Sequence, residues 1–291
     1  MPSISDLIKN KSNQDQVWLE QRRAERGSLS SMRDVALEEI TSDPAQYQKY
    51  LALQSDNIGC SVGNVALTMF QLDGATKIGP ISYWHEQGRY VRDDAMKSGA
   101  KVFVPPRNGQ RRGYLMGDYY DVTQTTGRPL KEQTPLTSDS ARMDNALASL
   151  LNYSPVAFVE NPELNVPARY SEANLTISVN PDCDKAEVFA ALATEITYAR
   201  IHDKGRNTSF ERENYKLDAE SVGYMVCRRF GVDCPMPQAR EVAQLYEGYE
   251  PTDRSDALEQ IRKTAKNIGD GVERGIQPRQ QERGRRNSGA R

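Results

Sequence analysis

Between Trp84 and Lys131 the chain carries nine basic side chains, Arg89, Arg92, Lys97, Lys101, Arg107, Arg111, Arg112, Arg128 and Lys131, against five acidic ones, Glu86, Asp93, Asp94, Asp118 and Asp121. Six aromatic rings are interleaved with them: Trp84, Tyr90, Phe103, Tyr114, Tyr119 and Tyr120. That mixture suits single-stranded nucleic acid, whose phosphates are gripped by basic grooves and whose bases stack on exposed rings at ~1 to 3 kcal/mol each. The same rings serve equally well as the core of a small sheet, Trp84 and Phe103 first among them, with the charges on its solvated face. The basic run from Arg107 to Arg112 has no such structural use. The surplus is local, because the 291 residues together hold 38 Lys and Arg against 40 Asp and Glu. A net charge of -2 excludes a polycation that coats DNA by charge alone.

Thiol and imidazole chemistry have few candidates. The four cysteines, Cys60, Cys183, Cys227 and Cys234, never fall at the two-to-four-residue spacing of a zinc knuckle or redox motif, and they read as buried free thiols. Only two histidines are present, His85 and His202.

The elements that must position these groups follow from composition and period. Hydrophobic residues make up 37% of the chain and charged residues 27%, with a mean hydropathy of -0.72, which predicts globular domains with polar ends. No window approaches the ~18 apolar residues of a membrane span, and the first residues lack a secretion signal, so a cytoplasmic location without membrane contact is expected. Residues 1–30 are polar around one apolar anchor, Trp18, and read as a flexible arm or a loosely held helix. MRDVALEEI and AQYQKYLALQ read as helices parted at Asp43-Pro44, and NVALTMFQL as a third. Residues 81–125 hold short β-branched and aromatic runs punctuated by glycine and proline, the pattern of a small antiparallel sheet. A helix over 138–153 closes that region. Beyond it LTISVN alternates as a strand, KAEVFAALATEITYARIH and NYKLDAESVGYMVCRRFG are helical, and Gly231 stands where a helix commonly stops. Further helical pieces follow Pro237, and residues 277–291, with five arginines against Glu282, read as a disordered basic tail.

The stretch YWHEQGRYVRDDAMKSGAKVFVPP, followed by GDYYDVTQTTGRP, resembles the N-terminal domain of ArdC-type antirestriction proteins, a domain found also in plasmid-encoded conjugative primases. The matching positions are Trp84, Gly88, Arg89, Val91, Lys97, Gly99, Ala100, Lys101, Pro105 and the run from Tyr120 to Thr125. Several elements in register are more specific than any one short motif. The resemblance implies a single-stranded-DNA-binding domain over 31–152. Its nucleic-acid-binding candidates are Trp84, Arg89, Arg92, Lys97, Lys101, Arg107, Arg111, Arg112, Tyr114, Tyr119, Tyr120, Gln124 and Arg128.

Residues 153–250 resemble the metallopeptidase domain that follows in the same family, related to the ImmA/IrrE group, with 251–276 as a helical extension. There a helix carries Leu-Ala-His-Glu-x-x-His, and a later helix Glu-Ala-Glu-Ser-Val-Ala-Tyr supplies the third zinc ligand from its second Glu. Here the corresponding runs are Leu192-Ala193-Thr194-Glu195-Ile196-Thr197-Tyr198 and Asp218-Ala219-Glu220-Ser221-Val222-Gly223-Tyr224. Zinc needs two imidazoles one turn apart on one helix face, and Thr194 and Tyr198 are not ordinary ligands. The resemblance therefore implies a vestigial general base, Glu195, with vestigial metal positions Thr194, Tyr198 and Glu220, and loss of the zinc cofactor. A residual site of Glu195, Glu220 and His202 is the competing arrangement, His202 lying about two turns beyond Glu195. Without a cation, Glu195 and Glu220 facing one pocket would repel, one of them taking a proton or a hydrogen bond from Tyr198 or Thr194.

The expectation is an α+β chain: a small antiparallel sheet with helices, then a mainly helical zincin-like domain. The function implied is a single-stranded-DNA-binding, antirestriction-type protein of a mobile genetic element with an inactive peptidase-like domain, partnered by a restriction or conjugation protein. Two alternatives remain: an active metallopeptidase with atypical ligands that cleaves a host protein, and a non-enzymatic scaffold of a conjugation apparatus.

Overall fold

The computed structural model describes residues 3–106 and 114–277. The basic run over Arg107, Arg111 and Arg112, and all of the basic tail beyond Gln277, lie outside the described residues. The fold is α+β, with short antiparallel strands among many helices. By contact it divides into two compact units: Met1–Leu53, Cys60–Leu130 and Ala243–Ser255 form the first, and Gln54–Gly59, Lys131–Val242 and Asp256–Arg291 the second. Among the described residues no helix is long and apolar enough to cross a membrane.

The stretch read as an arm is helical from Ile4, continuous through Ser42 as α1. No proline interrupts it before Pro44, and over the exposed residues 11–28 it carries i,i+4 pairs such as Lys11–Asp15 and Gln21–Glu25. The break at Asp43-Pro44 falls as expected and opens α2 (Pro44–Asp56). Ser61 caps α3 (Val62–Gln71) by accepting from the Asn64 N–H.

The rest of the first unit runs β1 (Ile78–Gly79), α4 (Ile81–Glu86), β2 (Arg89–Val91), β3 (Ala100–Val104), β4 (Leu115–Asp121) and β5 (Thr125–Gly127). Its strands make a three-stranded antiparallel sheet in the order β1-β4-β3 and a separate β2-β5 pair. An unpaired edge on β3 would invite aggregation. Two side-chain amides of α3 cover it: Asn64 bonds the Phe103 C=O at 2.8 Å and N–H at 3.1 Å, and Gln71 bonds the Lys101 C=O and N–H, both at 2.9 Å. Leu29, Leu67 and Val102 form the core beneath this seam, with Met32, Phe103, Val104, Met116 and Tyr119 against it.

In the second unit come α5 (Ala141–Tyr153), β6 (Ala157–Glu160), β7 (Ala168–Ser171), β8 (Thr176–Val179), α6 (Lys185–His202) and α7 (Lys216–Phe230). A short α8 (Val242–Leu245) belongs to the first unit from Ala243 onward, and α9 (Pro251–Ile276) lies in the second from Asp256 onward. The helix over 138–153, expected to close the first domain near Asn152, packs instead on α6 within the second unit, so the first unit's continuous run ends at Leu130. Of the sheet β6-β8-β7, only β8 was legible as a strand; β6 runs parallel to it and β7 antiparallel. Asp184 caps α6 by accepting from the Ala186 N–H at 2.8 Å. Gly231 ends α7 in the left-handed region at φ 63.

Candidate nucleic-acid surface and the Glu195–Arg212 cluster

Several rings and cations of the 84–128 segment are framework. Trp84 is 0% exposed, and its indole N–H donates to the Gly79 carbonyl at 3.0 Å and the Tyr120 carbonyl at 3.1 Å. Tyr120 is buried and donates its hydroxyl to the Met96 carbonyl at 3.0 Å. Arg89 is consumed by the β2-β5 pair: its guanidinium donates to the Thr125 hydroxyl at 2.8 Å, the Thr125 carbonyl at 3.0 Å and the Arg128 carbonyl at 2.6 Å. Gln124 accepts from the Asp121 N–H at 2.8 Å and donates to the Ser98 carbonyl at 2.9 Å, completing a capping box with Asp121. Tyr119 is half-buried against the core, and burial, with Cys60 nearby, pushes its hydroxyl up to about 12. A buried ring already holding its hydrogen bonds offers no face to a base, so Trp84 and Tyr120 do not serve as stacking platforms in this fold.

What remains accessible is smaller. Tyr90 is 58% exposed and Tyr114 60%. Arg92, Lys97, Lys101 and Arg128 are exposed, although Arg92 donates to the Thr123 carbonyl at 2.6 Å and pairs with Asp94, and Lys101 pairs with Asp118 at 2.5 Å. Tyr90, beside His85 at 5.1 Å between ring centroids, was not among the expected binding residues.

The second constellation assembles on α6, α7 and the turn before α7. Glu195 is buried, and its two oxygens are taken by the Arg212 guanidinium in a bidentate pair, 2.9 Å to one and 2.5 Å to the other. The Tyr170 N–H of β7 donates to the same carboxylate at 2.8 Å. Arg212 lies over the Tyr198 ring, 3.7 Å from its centroid. Burial pushes the Tyr198 hydroxyl up to about 12 in spite of that cation. Burial also raises the Glu220 carboxyl, an effect Lys216 partly offsets, and pushes Asp218 up to about 6. The expected crowding of two carboxylates is thus relieved on Glu195 by a guanidinium, and neither Thr194 nor Tyr198 supplies the bond. Arg212 carries no motif and lies in a 3-10 turn after a loop, so spacing does not reveal it.

His202 is not directed to Glu195. The Tyr170 hydroxyl is bonded to its Nδ1 at 2.7 Å, and its ring stacks on Phe210 at 4.7 Å. Among the described residues no group of three or more His, Cys, Asp and Glu is placed to hold a metal ion. Thr194 instead sets the approach of α6 to α7. A Cβ built on Gly223 would stand 2.2 Å from the Thr194 Oγ1, so only glycine fits opposite this threonine. Gly223→Ala is expected to cost about 1–3 kcal/mol by overpacking, and Thr194→Ala in the same chain to recover most of it. Chemical denaturation of the two single variants and the double variant measures that coupling; simple additivity would show that the two positions do not touch.

No protein-family model matches the chain, and no curated protein does. Among solved structures it is similar to the antirestriction protein ArdC of plasmid R388 in two forms. The metal-free form is 18% identical with a TM-score of 0.46, over 74% of this chain and 84% of that one. The Mn(II)-bound form is 18% identical with a TM-score of 0.46, over 75% of this chain and 85% of that one.

Proposed function

We propose that the chain binds single-stranded DNA through its first unit, in the service of a mobile element whose DNA must escape restriction, and that its peptidase-like unit performs no hydrolysis. The observation that carries this reading is the Glu195–Arg212 pair, because it separates a binding protein from the peptidase alternative. A general base needs a carboxylate oxygen open to a water, and both oxygens of Glu195 face a guanidinium or a backbone N–H. A zinc ion does not fit this donor set: Thr194 and Tyr198 stand where the motif places imidazoles, and the Arg212 charge would repel a divalent cation beside Glu195. With Trp84, Arg89, Tyr120 and Gln124 in framework roles, the contacts to DNA fall to Arg92, Lys97, Lys101, Tyr114, Tyr119 and Arg128, joined by Tyr90 and by the arginines of 107–112. The antirestriction role and the restriction or conjugation partner rest on the sequence resemblance.

The test is titration of labelled oligonucleotide, single-stranded and duplex, at two salt concentrations, with the metal content of the same sample measured by mass spectrometry. Salt-sensitive preference for the single strand, with little sequence dependence and without stoichiometric zinc, is the expected result. Arg111→Ala with Arg112→Ala should flatten the dependence of log K on log salt by about 0.7 per lost phosphate contact, about 1.4 for both. Unchanged affinity and slope would remove this run from the groove. Stoichiometric zinc together with chelator-sensitive proteolysis would overturn the non-enzymatic half of the proposal.

A further inference from the structure

α1 carries its core-facing stripe out of the core. Trp18, Arg22, Glu25, Leu29 and Met32 recur at three- and four-residue intervals and so share one face of the helix. Leu29 is buried with Leu67 and Val102, and Met32 packs against them. Toward the N-terminus the same stripe lines a cleft of about 910 Å³, whose other wall holds Lys101, Met116, Gly117 and Asp118 of the β3-β4 hairpin. Trp18 faces this cleft and is 53% exposed. A large flat apolar ring left half in water beside a cleft of this size has contact area to gain from a ligand. The Arg22 guanidinium lies over the Trp18 ring, 5.1 Å from its centroid, and is paired with no carboxylate among the described residues. The two carboxylates of the cleft are engaged within the protein: Glu25 accepts from the Gln21 amide at 3.1 Å, and Asp118 from Lys101 at 2.5 Å. Over residues 18–26 three arginines, Arg22, Arg23 and Arg26, stand against Glu20 and Glu25.

We propose that this cleft takes one base of single-stranded DNA, stacked on the free face of Trp18, with Arg22 and Lys101 on the flanking phosphates. The assignment rests on the reading of the first unit as a single-strand binder, and it extends that site from the 84–128 segment to α1. The chemistry of the cleft matches a base. The indole supplies a stacking face, Leu29, Met32 and Met116 supply apolar lining, and Gly117 adds no side chain to fill the space. The Lys101 side chain is 60% exposed, so its ion pair with Asp118 is of the weak surface kind, which a phosphate displaces at little cost. Duplex DNA cannot use the cleft, because its bases are stacked on one another and reach Trp18 only after unpairing. The requirement for a free base makes Trp18 a source of the preference for single strands.

Trp18 also reports the result, because the other tryptophan, Trp84, is fully buried and hydrogen-bonded. The full chain is titrated with dye-labelled oligodeoxythymidine and with a duplex, while tryptophan emission and dye anisotropy are followed. The single strand is expected to quench the emission and the duplex to leave it unchanged. Trp18→Ala should abolish the quench and weaken single-strand affinity about 5- to 150-fold, the loss of one stacked base. Trp18→Tyr keeps a flat ring and should recover most of that affinity. The melting temperature of Trp18→Ala should match that of the natural sequence, which separates a lost contact from a lost fold. If the natural sequence binds the single strand while Trp18→Ala binds it equally well, or while the Ala and Tyr variants lose affinity alike, the cleft is overturned and the DNA reading stands. Absence of single-strand binding by the natural sequence overturns both. A blue shift of the emission with rising protein concentration, in the absence of DNA, would show that a second copy of the chain covers Trp18 and would likewise overturn the assignment.

Discussion

Glu195→Gln is expected to destabilise the second unit by about 3–5 kcal/mol, the range for removing one partner of a buried ion pair. The Arg212 side chain is 15% exposed and that of Glu195 7%, so water cannot take over the lost bonds. An amide leaves the guanidinium charge buried against Tyr198 without its bidentate partner, with only the more distant carboxylates of Glu172 and Glu220 to act on it. The opposite sign follows from the sequence alone, where Glu195 and Glu220 are two crowded carboxylates and neutralising one relieves repulsion. The guanidinium reverses that sign. Arg212→Ala should cost a comparable amount, with loss of the Tyr198 contact added, and Glu195→Gln with Arg212→Met should recover more than the two single changes predict. Denaturation followed by circular dichroism reads all three. A rise in stability on Glu195→Gln would show that the guanidinium does not neutralise this carboxylate in solution. The oligonucleotide affinity of the folded variants should stay unchanged, since these residues belong to the other unit.

Trp84→Ala should cost about 3–5 kcal/mol, the usual loss for emptying a fully buried large aromatic site. Trp84→Phe keeps most of the volume but removes the donor shared by the Gly79 and Tyr120 carbonyls, at about 1–3 kcal/mol. Fluorescence follows the change directly, because the chain has only two tryptophans, and the other, Trp18, is 53% exposed. Folded Trp84→Phe is expected to bind single-stranded DNA as the natural sequence does. Loss of affinity without loss of stability would mean that the indole meets DNA and that the segment opens to allow it.

How far these effects could be read without coordinates depends on their range along the chain. The α+β class, the break at Asp43-Pro44, α6 from Lys185 to His202 and the stop at Gly231 all follow from local rules: proline restriction, capping, helical period and glycine at a left-handed position. The local surplus of Arg, Lys and aromatic residues is equally a matter of composition. Strands β6 and β7 were not legible because each is only four residues long, too short for a period to stand out, although β7 does alternate between buried and more exposed positions.

Which residue types are available for chemistry can be read along the chain; which of them are spent on holding the fold is settled only by packing. Trp84 and Tyr90 lie six residues apart in the same aromatic-basic run, and nothing local distinguishes the ring that closes a core from the ring that meets solvent. Arg212 approaches Glu195 across a loop, and Gly223 admits Thr194 across two packed helices. Each is a contact between residues of separate elements. Such contacts are set by how backbones pack, and no periodicity along the chain encodes the partner.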